Sequence, residues 1–303
     1  MYKDKISVIM SVNKESMYLE ESITSILNQS HSKFEFLIVD DFANKKVKKI
    51  LNIYKKKDKR IKVIKNKKNL GLTKSLIYAI KFSNCNFISR IDADDYSDKD
   101  RLKMQLKWLK KSSKRVMCGT NYSLVRGNKI IKKNIIFDKK NIIKNMMYKN
   151  CFIHSSAMFK KNYYKRVGGY NPFFYYAQDY DLWSRLSSVG EVGNLEKRLT
   201  FFRDHPSSIS RSKTEKQMKY SIIVSCNNYF YSKYKRFFKI NLNLEKNHFF
   251  LKNNALIKDF YRCISFLNRK KLKVKGIENL PQLSLKSLFF CLKQPKMFIY
   301  NLL

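Results

Sequence analysis

Short apolar strands alternate with amphipathic helices along the N-terminal third of this chain. Four segments have the length and composition of buried strands: ISVIMSV (6–12), FEFLIVD (34–40), IKVIK (61–65) and NFISRID (86–92). Between them, residues 18–29 and 70–82 place their apolar side chains on one helical stripe. This alternation is typical of βαβ units, in which a parallel sheet is covered by helices on both faces. We therefore predict an α/β fold.

The pattern continues less regularly beyond the fourth strand. We expect a helix over 97–109, with Ser97 as its N-cap and Asp98 and Asp100 in its first turn. A strand is expected over 116–125, followed by a turn at 126–128. After about Ser212 the chain becomes basic, aromatic and helical in character. The expected division is one large domain, 1–212, and a C-terminal helical region, 213–303.

The chain is strongly basic, with 64 Lys and Arg against 23 Asp and Glu and a formal net charge of +41. Such a charge suggests a nucleic acid or an anionic membrane surface as a partner. However, the bases are spread along the whole chain, and Lys, Asn and Ile are used heavily throughout, as an A/T-rich coding sequence would produce. The leading expectation is therefore that this protein has no nucleic-acid partner. A nucleic-acid-binding protein is kept as the rival interpretation.

The cysteine pattern and the hydropathy of the chain indicate in which cellular compartment the protein is expected. The six cysteines lie far apart without a Cys-x-x-Cys pair, which favours reduced thiols over a zinc site or a disulfide framework. No apolar run approaches the ~20 residues of a spanning helix, and the first residues do not resemble a signal peptide. We expect a cytoplasmic protein. The amphipathic segment 285–303 makes the inner face of the cell membrane a candidate contact, and a helical cap on the domain is the alternative.

Acidic residues follow three of the predicted strands. Asp40 and Asp41 end the second strand, IDADD (91–95) ends the fourth, and Asn13 and Glu15 follow the first. Ligands of parallel sheets lie beyond the carboxyl ends of the strands. The carboxylates of IDADD allow three interpretations: a polar loop before a helix, a cluster paired with Arg90 and Arg101, or a site for a hard divalent cation together with a diphosphate.

Other candidate site residues have competing interpretations. Asp179 in AQDYDLW is either a first-turn acid, with Asp181 and Arg185 as an i, i+4 pair, or a general base. Of two histidines in polar segments, His205 is a better ligand candidate than His154, although a lone histidine is usually a packed or surface residue. Lys74, in the helix opened by a glycine, is placed to meet a phosphate.

Nine segments together resemble the family 2 glycosyltransferases with the A-type nucleotide-diphospho-sugar fold. In order they are ISVIMSVNKE, YLEESITSILNQS, FEFLIVDD, NLGLTKSL, ISRIDADDYSDKDRL, HSSAMF, VGGYN, QDYDLWSRL and FRDHPSSIS. Each is weak alone, but they agree in order and spacing over roughly the first 210 residues. The resemblance implies a Rossmann-like mixed, mainly parallel sheet flanked by helices. It also implies a nucleotide-sugar donor, most often a UDP-sugar.

The resemblance assigns roles to individual residues. Asp94 would be the principal ligand of Mn²⁺ or Mg²⁺, with Asp95 beside it, and His205 would reach the metal or the pyrophosphate. Asp92 would contact the ribose or the metal. Asp179 would be the catalytic base. The remaining donor-binding residues would be Asp40 at the uracil edge, Ser11 and Asn13 in the nucleoside pocket, Lys74, and Arg90.

The implied reaction is direct displacement. Asp179 would take the proton of an acceptor hydroxyl as its oxygen attacks the anomeric carbon, which inverts that centre. The expected acceptor is a saccharide or a lipid-linked saccharide in bacterial surface polysaccharide synthesis. Three departures from the family pattern stand out: SVNKE lacks an aromatic residue before Asn13, FANKK (42–46) replaces a Gly-Ser turn, and Gln178 replaces an acidic neighbour of the base. An inactive relative that keeps the fold as an interaction platform is a further alternative.

Overall fold

A computed structural model describes residues 4–133, 139–146, 149–205, 208, 217, 220, 221, 224, 225, 227, 228 and 231. The chain forms two compact units. The first comprises Met1–Asn145, Asn150–Pro172 and Gln178–His205, and the second comprises Met146–Lys149, Phe173–Ala177 and Pro206–Leu303. The predicted helical region, 213–303, lies almost entirely outside the described residues, so its helical character and membrane contact remain predictions.

Nine strands and seven α-helices are present among the described residues. The strands are β1 (Ile6–Val12), β2 (Phe34–Asp40), β3 (Ile61–Lys65), β4 (Phe87–Arg90), β5 (Tyr96–Ser97), β6 (Arg115–Arg126), β7 (Lys129–Lys133), β8 (Met158–Lys160) and β9 (Glu191–Arg203). The helices are α1 (Leu19–Leu27), α2 (Lys45–Lys57), α3 (Leu72–Phe82), α4 (Arg101–Lys110), α5 (Lys139–Asn145), α6 (Lys161–Arg166) and α7 (Gln178–Ser187). A 3₁₀ turn spans His154–Ser156.

All nine strands join one mixed sheet, in the order β3-β2-β1-β4-β8-β6-β9-β5, with β7 paired to β6. The pairs β1 with β2, β2 with β3, β1 with β4 and β6 with β9 are parallel. The short strand β8 runs antiparallel between β4 and β6 and so joins the N-terminal βαβ half to the second half. The predicted α/β fold with a Rossmann-like mixed sheet is confirmed.

The core lies where the first three strands pack against the helices. Every residue of β2 is buried, because β1 and β3 flank it on both edges. Apolar side chains of α1 and α4 pack onto the same sheet, among them Leu19, Ile23, Ile26, Leu102, Leu106 and Leu109. Burial from both faces explains why these strands read as continuous apolar runs.

The helix predicted over 97–109 is wrong at its start. It begins at Arg101, because Tyr96 and Ser97 pair with β9 as strand β5 and the Asp98 backbone N–H donates to the Leu199 carbonyl at 3.0 Å. Ser97 is therefore not an N-cap. The turn predicted at 126–128 is present and joins β6 to β7, with Gly127 at a φ of 55°.

The second unit contains a cluster of aromatic rings. Tyr220 lies with its ring centroid 5.9 Å from that of Phe173, 6.3 Å from that of Phe174 and 5.9 Å from that of Tyr176. The Asn228 side chain donates to the Met146 carbonyl at 2.5 Å in the same unit. Among the helices that the structure describes, none has both the length and the apolar character needed to cross a bilayer.

A buried carboxylate, Glu35, lies at the start of β2, at the amino ends of the strands. It accepts hydrogen bonds from Ser7 Oγ at 2.7 Å and the Asn84 backbone N–H at 3.0 Å, and from Lys62 Nζ at 2.9 Å. Burial raises the pKa of Glu35, but these donors together outweigh burial and leave the pKa below its ordinary value. Glu35 therefore fastens β1, β3 and the end of α3 to β2 in its ionised form.

We predict that Glu35→Ala lowers the free energy of unfolding by about 1–3 kcal/mol at neutral pH, because the buried Ser7 and Asn84 donors lose their acceptor. Since the folded-state pKa is lowered, this stability is complete above the ordinary value of 4.5 and is lost as the pH falls through the folded-state pKa. Urea denaturation of both proteins at pH 7 and at about pH 4 measures it. The difference between them should shrink at the lower pH.

The matched control is Glu196→Ala, which removes an exposed carboxylate of β9. It should change the unfolding free energy by less than about 0.5 kcal/mol. Equal losses in the two variants would show that the Glu35 contacts do not stabilise the fold.

Candidate functional site

The carboxylates of Asp92, Asp94 and Asp95 converge just beyond the carboxyl end of β4. Each offers one oxygen atom, and these atoms all lie within 4.8 Å of one another. The preceding residue, Ile91, donates its N–H to the carbonyl of Ile9 in β1 at 3.1 Å, so the run leaves the sheet from its centre. Asp95 is buried, while Asp92 and Asp94 are partly exposed. The three side chains thus form one acidic cluster that opens to solvent on one side.

Arg90 lies beneath this cluster and is only 1% exposed. Both of its terminal nitrogens donate to the Asp92 carboxylate, and Nη1 also donates to Ser155 Oγ at 3.1 Å. A guanidinium buried in this way holds the Asp92 carboxylate in place. The contact of Arg90 with the donor stays a prediction.

Arg101, the other candidate partner of the cluster, is also fully buried but contacts backbone instead. Its Nη1 donates to the carbonyls of Arg90, at 3.0 Å, and of Ser155. Burial and the nearby charge of Arg90 lower the pKa of Arg101 to about 9. Among the residues that the structure describes, the cluster therefore has one arginine ion pair, from Arg90 to Asp92, and not the two that the second interpretation of IDADD required.

Ser155, in the 3₁₀ turn, connects two of the carboxylates. Its Oγ accepts the Asp92 backbone N–H at 3.1 Å and lies within hydrogen-bonding distance of the Asp92 carboxylate, at 3.0 Å, and of the Asp95 carboxylate. A hydroxyl has one proton and can donate it to only one of them at a time. The serine therefore orders the cluster without neutralising it.

The pKa values of the cluster show unbalanced negative charge. Burial, followed by the charges of Asp94 and Asp92, raises the pKa of Asp95 well above its ordinary value. Burial and the charge of Asp92 likewise raise the pKa of Asp94, although a hydrogen bond with His205 opposes this. Buried like charges are stabilised by a proton or by a cation.

A divalent metal fits this site. Mn²⁺ and Mg²⁺ prefer oxygen ligands and bind through one or two carboxylates together with waters and phosphates. Asp94, which is partly exposed, and Asp95, which is buried beside it, provide such oxygens, and their raised pKa values mark the charge that a cation would balance. The acidic cluster is therefore a candidate metal site.

His205 lies beside Asp94, although 111 residues separate them in the chain. Its Nε2 is 2.8 Å from Asp94 Oδ2, and its ring lies 6.0 Å from that of Tyr18. His205 follows the end of β9, and the structure brings it next to Asp94. Asp95, the third residue predicted to hold the metal, lies beside Asp94 in the acidic cluster. The other histidine considered, His154, is packed in the interior with its Nε2 2.8 Å from Tyr170 Oη, as expected of a lone histidine.

Asp40 ends β2 and is buried, with Oδ1 accepting the Ala43 backbone N–H at 2.8 Å. Ser11 is opposite Val39 in the pairing of β1 with β2, and Asn13 is exposed just after β1. The residue after Asp41 is Phe42, which is 59% exposed and has a φ of 61°, a left-handed backbone that side chains disfavour. The role of Asp40, Ser11 and Asn13 in binding a nucleoside stays a prediction.

Asp41 has a structural role that the sequence did not reveal. Its carboxylate accepts the backbone N–H groups of Leu70, at 2.8 Å, and Gly71, at 2.9 Å, as well as Asn66 Nδ2 at 2.7 Å. An anion of the protein itself thus occupies the turn that opens α3. Lys74 is exposed in the first turn of this helix, and its contact with a phosphate stays a prediction.

Asp179 is in the first turn of α7, and Asn150 Nδ2 donates to its Oδ2 at 2.7 Å. Burial raises the pKa of Asp179, while hydrogen bonds and the charge of Arg90 oppose the rise. The buried Tyr170 hydroxyl is within electrostatic reach of both Asp179 and Asp92. Arg90 and Tyr170 therefore interact electrostatically both with the acidic cluster and with Asp179.

The neighbouring acid, Asp181, has the structural role proposed from its spacing. Its carboxylate pairs with Arg185 at 2.5 Å, one turn further along α7, and Arg185 also donates to the Val167 carbonyl at 2.6 Å. The i, i+4 pair predicted from the sequence is present. Asp181 is therefore occupied, which leaves Asp179 as the acid of α7 that faces the site.

Three residues of the site were not identified from the sequence: Ser155, Tyr170 and Arg203. Ser155 occurs in HSSAMF, a segment in which only the histidine drew attention, and Tyr170 occurs in VGGYN. Their roles depend on contacts across 60 or more residues, such as the one between Ser155 and Asp95. A buried serine or tyrosine leaves no local signal of this kind in a sequence.

Comparison with known proteins agrees with this geometry. The family model described as Glycosyl transferase family 2 matches residues 7–168. The O-antigen biosynthesis glycosyltransferase WbnJ of Escherichia coli is 34% identical over 215 residues, which cover 69% of this chain and 83% of WbnJ. From the same organism, the UDP-Glc:alpha-D-GlcNAc-diphosphoundecaprenol beta-1,3-glucosyltransferase WfgD is 28% identical over 214 residues, covering 69% of this chain and 80% of WfgD.

Solved structures share the fold. The structure of S. aureus TarS 1-349 in complex with UDP superposes with a TM-score of 0.59 at 17% identity, covering 86% of this chain and 81% of TarS 1-349. At this identity the likeness concerns the fold alone. The match of the family model over more than half of the chain, together with the similarity to WbnJ, is decisive for the family. This chain belongs to glycosyl transferase family 2 and is a glycosyltransferase.

Proposed function

We propose that this glycosyltransferase moves a sugar from a UDP-sugar to a hydroxyl of a saccharide acceptor, with inversion at the anomeric carbon and with Mn²⁺ or Mg²⁺ at the acidic cluster. One observation carries the proposal. The buried Arg90 guanidinium interacts electrostatically with Asp92 and Asp95 of the acidic cluster and also with the candidate base Asp179. A leaving diphosphate and an attacking hydroxyl need such groups side by side.

A uridine donor is supported by the site and by the relatives. Asp40, at the end of β2, has a carboxylate at the position to which the resemblance assigns the uracil edge, with Ser11 in the neighbouring strand β1 and Asn13 just after that strand. The name of WfgD specifies UDP-Glc, and TarS 1-349 has been solved with UDP and with UDP-GlcNAc. These proteins share the family or the fold with this chain, so UDP is the first nucleotide to test.

The residues of the cluster have distinct tasks in this reaction. Asp94 and Asp95 hold the metal, His205 orients Asp94, and Asp92 is kept rigid by Arg90. The bound metal would neutralise the charge that develops on the departing diphosphate. Because Asp92 is already paired with a guanidinium, it is better suited to contact a ribose hydroxyl than to provide the main metal ligand.

Asp179 takes the acceptor proton. As the acceptor oxygen forms its bond to the anomeric carbon and the bond to the diphosphate breaks, the hydroxyl proton passes to the Asp179 carboxylate. Burial raises the pKa of Asp179, which strengthens it as a base, and Asn150 fixes its orientation. A single displacement from the face opposite the leaving group inverts the anomeric centre.

The acceptor is proposed from the relatives and from charge. WbnJ is named for O-antigen biosynthesis and WfgD for an acceptor carried on diphosphoundecaprenol. A saccharide or lipid-linked saccharide of a surface polysaccharide is the corresponding acceptor here. The net charge of +41 would favour an anionic membrane surface, and the inner face of the cell membrane is where such lipid-linked acceptors would be met.

Donor binding should depend on the divalent metal. UDP should bind in the presence of Mn²⁺ and bind at least about tenfold more weakly without it, because the metal joins the diphosphate to the carboxylates. Asp94→Ala should remove the effect of Mn²⁺. Isothermal titration of both proteins with UDP, with GDP as the competing nucleotide, measures this.

Asp100→Ala is the control for that experiment, since it removes an exposed carboxylate that bonds Ser30 outside the cluster. It should bind UDP as the unchanged protein does. If Asp94→Ala retained full metal-dependent binding, the cluster would not be the metal site. Salt-sensitive binding of a DNA duplex with no nucleotide binding would favour the rival class instead.

A substitution at Asp179 should separate donor affinity from the rate of sugar transfer. Asp179→Asn should keep the affinity for UDP and Mn²⁺ but lose transfer by about 10²-fold or more, because the amide cannot accept the proton. Turnover of the UDP-sugar that is active with the unchanged protein measures transfer, and calorimetry measures affinity. An inactive interaction platform would bind the donor without turnover in the unchanged protein as well.

Asp181→Asn, two residues along α7, is the matched control. It removes the ion pair with Arg185 and should lower the melting temperature while leaving the rate of transfer largely unchanged below that temperature. Equal loss of transfer in the two variants would show that α7 has only a structural role.

A further inference from the structure

Arg203 lies at the end of β9, immediately behind the acidic cluster, and is 7% exposed. Its guanidinium is sandwiched between two aromatic rings, with the Tyr18 centroid at 4.1 Å and the Tyr96 centroid at 4.6 Å. The Tyr96 ring stacks in turn on Phe201, with centroids 4.3 Å apart and an interplanar angle of 3°. These contacts fix the plane of the guanidinium, as is expected of stacked arginines.

The same residue binds both halves of the Asp94–Asp95 pair. Its Nη1 donates to the Asp94 carbonyl at 2.6 Å, and its backbone N–H donates to Asp95 Oδ1 at 2.8 Å. Its remaining terminal nitrogen, Nη2, pairs with the Glu21 carboxylate on α1. Arg203 thus joins the acidic loop to β9 and to α1 at one point.

The chemistry of these bonds shows what Arg203 does and does not supply. Its positive charge is paired with Glu21, and toward Asp94 it offers a hydrogen bond to the backbone. The side chain of Asp94 is left to His205 and to the open side of the cluster. Arg203 therefore fixes the direction of the Asp94 and Asp95 side chains without taking the place that a cation would fill.

We infer that Arg203 is a positioning residue that pre-organises the metal site, with Tyr18 and Tyr96 as the clamp that holds its guanidinium. This inference rests on the proposed function. Lysine cannot replace arginine here, because an ammonium group lacks the planar fork that bonds the Asp94 carbonyl and Glu21 at once while stacked between two rings. Loss of the fork leaves the Asp94–Asp95 backbone free to turn its carboxylates apart.

The test is Arg203→Lys, read out by the affinity for Mn²⁺ alone, without nucleotide. Outer-shell partners of metal ligands typically contribute 10- to 100-fold to affinity. We expect at least about a tenfold rise in the dissociation constant, measured by electron paramagnetic resonance of free Mn²⁺. In the transfer assay, saturating Mn²⁺ should restore most of kcat, since the reacting groups are unchanged.

Arg60→Lys is a closely matched control. Arg60 is also stacked on an aromatic ring, with the Phe34 centroid at 4.3 Å, pairs with Asp58 at 2.7 Å and donates to the Leu27 carbonyl at 3.0 Å, outside the acidic cluster. Its loss should lower the melting temperature without changing Mn²⁺ affinity. Should Arg203→Lys fail to fold, Glu21→Gln, which removes one anchor of the guanidinium, should give a smaller loss of Mn²⁺ affinity in the same direction.

The outcomes separate the inference from the function on which it rests. Unchanged Mn²⁺ affinity in Arg203→Lys or in a folded Glu21→Gln, with strong binding by the unchanged protein, would make Arg203 a structural residue and overturn the inference alone. Absence of Mn²⁺ binding by the unchanged protein, with and without UDP, would overturn the metal site itself and the inference with it. A selective loss in Arg203→Lys, with Arg60→Lys unaffected, supports the inference.

Discussion

The buried ion pair between Arg90 and Asp92 is the contact on which the geometry of the site depends. Arg90 is 1% exposed, and leaving its guanidinium unpaired would cost several kcal/mol. The position of Arg90 therefore determines the position of the Asp92 carboxylate. Arg90 is itself fixed by the sheet, because its backbone N–H donates to the Ala157 carbonyl at 2.9 Å where β4 meets the start of β8. Ser155, two residues before that carbonyl, binds both Arg90 and Asp92. The sheet, the 3₁₀ turn and the acidic run are therefore ordered as one unit.

Sequence patterns predicted the strands well where a run of buried apolar residues is continuous. They predicted poorly where a segment pairs with a strand that is distant in sequence. Strands β1, β2 and β3 begin and end at the predicted residues, because each is an apolar run bounded by polar residues. The start of α4 was misplaced because Ser97 pairs with Thr200, a partner that no local window contains. Helix α2 (Lys45–Lys57) is absent from the sequence-based predictions, although Asn44 caps it and Val47 and Leu51 form its buried stripe.

In the candidate site, too, some features could be predicted from the sequence and others could not. The acidic run after β4 was recognised because three close carboxylates are unusual in a basic chain, and the pairing of Asp181 with Arg185 followed from helical spacing. What the sequence could not show is how Asp41 differs from Asp40. The two are adjacent, yet the Asp41 carboxylate closes the turn before α3, while the Asp40 carboxylate accepts the Ala43 N–H within its own loop. Adjacent strand-end residues point in different directions, and the folded loop decides their partners.

The charge of Arg90 connects the acidic cluster electrostatically to Asp179, the candidate base. Arg90 pairs with Asp92 and, through its charge, also opposes the burial that raises the pKa of Asp179. A cation at Asp94 and Asp95 would add positive charge on the open side of the same cluster, where burial and like charge now favour protons. Binding the donor with its metal would then complete the charge balance that the protein leaves open.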